Sequence, residues 1–142
     1  MDDKRLESNW LRRTALGTLA MLAAGLVLDA IPNPLATPVP PDGFSYFTPG
    51  VGLWAALVTA VAAAIGAYVA RVRFVIVATL LATAAGLAGF LFLQWIAEPV
   101  RHVPYLEIMA RNATGLACTV VAAAVGAELG WRAVRHRAGA GS

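Results

Sequence analysis

Few side chains in this sequence could do chemistry, and the place of each decides what it can do. The 142 residues carry eight acidic groups, eleven Lys or Arg, two His and one Cys. Asp29 and Glu128 matter most, because each lies in or beside a long apolar run. An ionisable group at the centre of a membrane span costs about 2.5–3.5 kcal/mol on insertion scales, so such groups tend to mark ion or proton paths. Asp29 stands three residues before Pro32, at the outer edge of its run. It could take a proton or a cation, but an interfacial carboxylate in water, or one paired with Arg111, explains it more simply. Glu128 could likewise bind a proton or cationic substrate. Its simpler role is an acid-first pair with Arg132, four residues on, with both groups reaching the headgroups.

The remaining polar groups are weaker candidates. Arg111 follows Glu107 at the same spacing of four. With Arg101 and His102 it could form an anion or lipid-headgroup site, although interfacial anchoring is enough to account for it. Gln94 suits a hydrogen bond to a neighbouring helix. His102 and His136 fall on opposite sides of the expected layout, and no HExxH or haem-attachment spacing occurs. Cys118 alone cannot form an internal disulfide, a redox pair or a cysteine metal cage. Ser8, Ser45 and Ser142 have no base arrangement beside them. Asn112-Ala113-Thr114 matches a glycosylation acceptor but opens inside an apolar run, which argues against that use. The sequence therefore predicts no catalytic residue, no metal and no cofactor.

The elements that hold these groups follow from composition. Hydrophobic residues make up 59% of the chain and charged ones 13%, against roughly 25% charged in an ordinary soluble domain. Mean hydropathy is +0.69. One small domain cannot bury that much apolar surface inside itself, so lipid is its solvent. A soluble enzyme, a disordered chain and a nucleic-acid binder are disfavoured. The pI near 9.6 belongs to membrane topology rather than to a phosphate-binding patch.

Four apolar runs are each near the ~20 residues that cross a bilayer. They cover about 15–31, 51–70, 74–96 and 110–130. Backbone groups in lipid must bond internally, so the runs read as helices. A barrel needs alternation, which Phe74 to Leu81 lacks. The predicted fold is all-α, a single four-helix transmembrane domain over 1–142. With the N-terminus inside, the inner side holds Lys4, Arg5, Arg12, Arg13, Arg71, Arg73, Arg132, Arg135 and Arg137. Only Arg101 and Arg111 fall outside. That asymmetry puts both termini in the cytoplasm.

The connections complete the layout. The inner turn 71–73 is short enough to predict a close hairpin of the second and third helices. The first outer loop, 32–50, is proline-rich and favours an extended path. Its Phe44, Tyr46 and Phe47 return toward the membrane and could dock a partner. The second outer loop spans 97–109. A basic start before the first run resembles an export signal, but no convincing small-residue cleavage site follows, so the first helix is expected to stay. Ten arginines against one lysine, with abundant Ala and Gly, is the usage of a GC-rich bacterial genome. The bacterial inner membrane is the expected location.

Small residues line the predicted helices at helical spacing. Small residues recur along the second helix at Ala56, Ala60, Ala63 and Ala67, and bulky ones at Leu53, Leu57, Val61, Ile65 and Tyr68, a two-sided pattern. The third carries Gly86, and the fourth Gly115, Gly126 and Gly130, with Gly126 and Gly130 forming a GxxxG. Small faces let helices approach closely in lipid. They serve either packing within the bundle or an interface with another subunit, and the first is favoured. The functional expectation is a non-enzymatic accessory or assembly subunit of a larger membrane complex: respiratory, photosynthetic or envelope-transport. Its partners would be the bilayer and other membrane subunits, or further copies of itself, and not nucleic acid. The alternative is a small oligomeric transporter or channel, proton-coupled through Asp29 or Glu128.

Overall fold

The computed structural model describes residues 3–34, 49–97 and 104–139. Phe44, Tyr46 and Phe47, with most of the proline-rich loop, lie outside the described residues, as do Arg101 and His102. The described residues are 91% helical, in four helices with no strand. These are α1 (Asp3–Asp29), α2 (Pro49–Ala70), α3 (Val75–Ala97) and α4 (Tyr105–Gly139). All four are long and apolar enough to cross a membrane, which is compatible with a multi-pass membrane protein.

Two helices outrun their apolar segments. α1 starts twelve residues before the run at 15, and α4 extends the run 110–130 at both ends. The apolar run marks what crosses lipid, whereas a nucleated helix continues wherever the next residues permit. Over 35 residues, at about 1.5 Å each, α4 is roughly 52 Å long, well beyond a bilayer core of about 30 Å. The early start of α4 shortens the loop expected over 97–109. There Pro104 presets the chain, and its carbonyl accepts from Glu107 N at 2.9 Å and Ile108 N at 3.3 Å. α1 stops before Pro32, which cannot continue a helix. Its last turn tightens, with Ile31 N donating to Leu28 O at 3.1 Å.

Helix contacts run in the order α1, α2, α4, α3. α2 and α4 are parallel: Gly126 faces the backbone of Ala60, and one turn further Gly130 faces that of Ala64. A Cβ at either glycine would collide with the opposing carbonyl oxygen. α1 crosses α2 in the opposite sense and almost as closely. A Cβ on Gly17 would lie 2.6 Å from Ala70 Cβ, and one on Gly66 would lie 2.9 Å from Met21 Cβ. The buried centre is mostly alanine, including Ala62, Ala63, Ala67, Ala78, Ala123 and Ala127, with Met21 and Phe74. Leu53, Leu57, Val61, Ile65 and Tyr68 are exposed. Large side chains outside and alanines inside suit a solvent as apolar as leucine, where close backbone approach holds helices together.

The close α2–α3 hairpin expected from the short turn does not form; the two helices scarcely touch. Arg71 ends α2 in the left-handed region, with φ 53°, a turn more often given to glycine. Phe74 follows, fully buried. Its ring reaches to 3.2 Å from where a Cβ on Gly17 would sit and 3.1 Å from one on Gly66. That ring fills the seam between α1 and α2 and turns α3 away. α3 packs on α4 instead, through Phe90, Ile108, Leu87 and Leu116. Tyr105 Oη donates to Leu87 O at 3.3 Å.

Candidate functional site: an acid-tipped crevice and an open groove

Two concave features lie on opposite faces of the α2–α4 pair. The first follows from α1 and α3, which hardly meet. Between them lies a crevice of about 330 Å³, lined from α1 by Met21, Gly25 and Asp29, from α2 by Val58 and Thr59, from α3 by Ala82 and Gly86, and from α4 by Thr119. Met21, Gly25 and Asp29 are spaced by four, so they form one stripe of α1. Asp29 is exposed and ends the first span. Both threonine hydroxyls already donate to their own helices. Thr59 Oγ1 bonds Ala55 O at 2.7 Å, and Thr119 Oγ1 bonds Gly115 O and Leu116 O at 2.9 Å each. This local bonding satisfies a hydroxyl that lipid could not. The crevice walls are therefore apolar up to the carboxyl.

The second feature is a groove between α2 and α4 on the other side. Ala56, Ala60, Ala117 and Ala122 give it small sides, with Leu53, Leu57, Val121 and Val125 beside them, in a volume of about 510 Å³. It resumes toward the arginine-rich end as a hollow of about 370 Å³ beside Ala64, Gly130 and Ala133. Cys118 is exposed in this groove.

The other candidates disperse. Glu128 bonds Arg132 Nε at 2.9 Å, with both side chains partly exposed. Arg111 bonds Glu107 rather than Asp29, again in the open. Gln94 is half-buried near the far end of α3. Ala63 and Ala67 are fully buried, and Gly86 lies under Leu116. Gly115 is buried in α4. Among the described residues, no three His, Cys, Asp or Glu converge as a metal would require.

Three polar features escaped the sequence reading. Asn112 is buried, and its Nδ2 donates to Ile108 O at 2.8 Å. Its spacing from Ile108 and Gly115 puts it on the inward stripe of α4, a signal present in the sequence. Arg137 donates to Tyr68 Oη and also lies 5.6 Å from its ring centroid. Such a contact joins residues 69 apart, and no local pattern announces it. Thr14 Oγ1 is buried without a hydrogen-bond partner among the described residues. No family model, curated protein or solved structure matches the chain.

Proposed function

We propose that this protein is a small accessory or assembly subunit of a larger complex in the bacterial inner membrane, with both termini in the cytoplasm. The observation that supports this most is the α2–α4 groove. It is apolar, flanked by alanines, and follows the pair for much of its length. Small residues beside bulky ones suit a transmembrane helix from another protein. In this reading the chain works by packing, and its charged pairs anchor it at the headgroups.

Cys118 allows a direct test, because the groove already holds the only thiol in the chain. A short photo-crosslinker attached there in native membranes should capture one defined membrane protein. Gentle affinity purification with mass spectrometry should recover the same protein in fixed stoichiometry. Recovery of the chain alone, crosslinked only to itself or to lipid, would defeat the accessory-subunit reading.

The transporter alternative has one observation in its favour, the crevice that ends at Asp29. Glu128 is less suited to coupling because it is tied to Arg132. In vesicles loaded with a pH dye, a proton-coupled transporter would admit protons, and Asp29→Asn would slow their entry. Entry no faster than in protein-free vesicles removes this alternative.

A further inference from the structure

We propose that the crevice between α1 and α3 seats one phospholipid with a primary-ammonium (ethanolamine) headgroup, its ammonium on Asp29 and an acyl chain along the apolar wall. Three observations converge on that occupant.

Shape comes first. The crevice is bounded by all four helices but unclosed between α1 and α3. A Cβ on Gly25 would meet nothing within 4 Å, so the middle of the crevice is open space. From Asp29 to Met21 the α1 stripe covers nine residues, a rise of about 12 Å. That is a long, narrow seat rather than a compact pocket, and it follows the helices as acyl chains do. Its volume of about 330 Å³ lies within the ~300–1,000 Å³ of small-molecule sites.

Depth is the second observation. Asp29 is the last residue of the first span, so it lies where apolar crossing gives way to headgroups. A lipid separates its charge and its chain in that same direction.

Charge is the third. Asp29 is the one ionisable side chain on the crevice lining. No ion pair engages it among the described residues, and Arg111, the cation that could have served, is bonded to Glu107. A carboxylate repels anionic glycerol headgroups. It attracts both ethanolamine and choline, but only ethanolamine carries N–H donors for a charge-assisted hydrogen bond. Preference among headgroups should therefore read ethanolamine, then choline, then glycerol.

The test uses the full chain, purified in non-ionic detergent and offered an equimolar mixture of ethanolamine, choline and glycerol phospholipids with identical acyl chains. Native mass spectrometry counts what stays bound. The wild type should hold ethanolamine lipid over choline lipid by about two- to fivefold, the range of a partly screened ion pair. Asp29→Asn should bring the two to parity. Gly25→Leu keeps the carboxyl but fills the seat, and should reduce all three lipids together. Both sites face open space, and a circular dichroism melt matching the wild type shows that each variant folds. Parity in the wild type overturns the proposal, as does a preference that survives Asp29→Asn. Parity together with Asp29-dependent binding of dodecylamine would assign the seat to a free lipophilic amine instead. Parity together with a dimer mass that Gly25→Leu abolishes would assign it to a second copy. The accessory-subunit reading rests on the opposite face and on Cys118, so either result can fail without the other.

Discussion

α2 has two potential partners, α3 and α4, and treats them in opposite ways. α3 follows it after four residues, yet the two hardly touch. α4 begins 35 residues after α2 ends and packs against it at backbone distance. Chain proximity therefore does not decide packing in this bundle; the size of the residue at each crossing does. Gly126 and Gly130 let two backbones meet, whereas Phe74 puts a ring at the point where α3 leaves α2. In water a buried ring and a buried glycine face both gain from leaving solvent. In lipid that gain is absent, and the closer backbone approach wins.

The α2–α4 contact is most vulnerable at its tightest point. Gly126→Leu would drive a side chain into the Ala60 carbonyl, which is backbone and cannot step aside. The expected loss is about 3 kcal/mol, the upper end of overpacking penalties, read as a lower midpoint on titrating mixed micelles with SDS. An unchanged midpoint would mean that α2 and α4 do not meet at Gly126.

Removing the ring tests the other side. Phe74→Ala empties a fully buried site. In a soluble core such changes cost about 3–5 kcal/mol. Here about 2–3 kcal/mol is expected, because the transfer from water drops out and only lost packing remains. Spin labels at positions 65 and 80 should also report a shorter α2–α3 distance, since the wedge is gone. A distance that does not change would assign the splay to something other than Phe74.

Gly89 supplies the internal control. It sits in α3 with open space where a Cβ would be. Gly89→Ala should leave the SDS midpoint unchanged or raise it by no more than about 1 kcal/mol, the helix-propensity difference. A loss as large as that of Gly126→Leu would show that glycine content matters rather than glycine position.

A small loss belongs to the end of the α2–α4 pair. Tyr68→Phe removes the hydroxyl that accepts from Arg137 but leaves the ring beneath it. About 0.5–1 kcal/mol is expected for one partly exposed hydrogen bond. A pulsed-label accessibility assay at position 137 should show a faster rate, and an equal rate would remove the contact from the account.

What the sequence made legible follows the same physics. The four helices were readable because lipid leaves an apolar backbone no other way to bond. α2 also announced its two faces, small and bulky, at a spacing of four. The choice of partner was not readable. Every helix carries small residues, and nothing local says that Gly126 meets Ala60 rather than Ala78. No close hairpin forms at 71–73, because the buried volume of Phe74 outweighs the shortness of the turn. Helix ends were hidden as well, since Glu128 and Arg132 look like a boundary by hydropathy yet support a continuing turn. Asp29 stood out as a carboxyl at a span edge, and its stripe with Gly25 and Met21 could be counted. The crevice it tips could not, because that space exists only where two helices stay apart.

The α2–α4 contact also sets a clock. Gly126 follows Ala60 by 66 residues. At about 5–20 residues per second, the ribosome delivers the second surface roughly 3–13 s after the first. Through that interval the side of α2 that will meet α4 lacks its partner, and α3, made in between, does not cover it. The nascent chain is thus open, for seconds, to any helix with a small enough face. A chain truncated before Gly126 keeps that vacancy permanently.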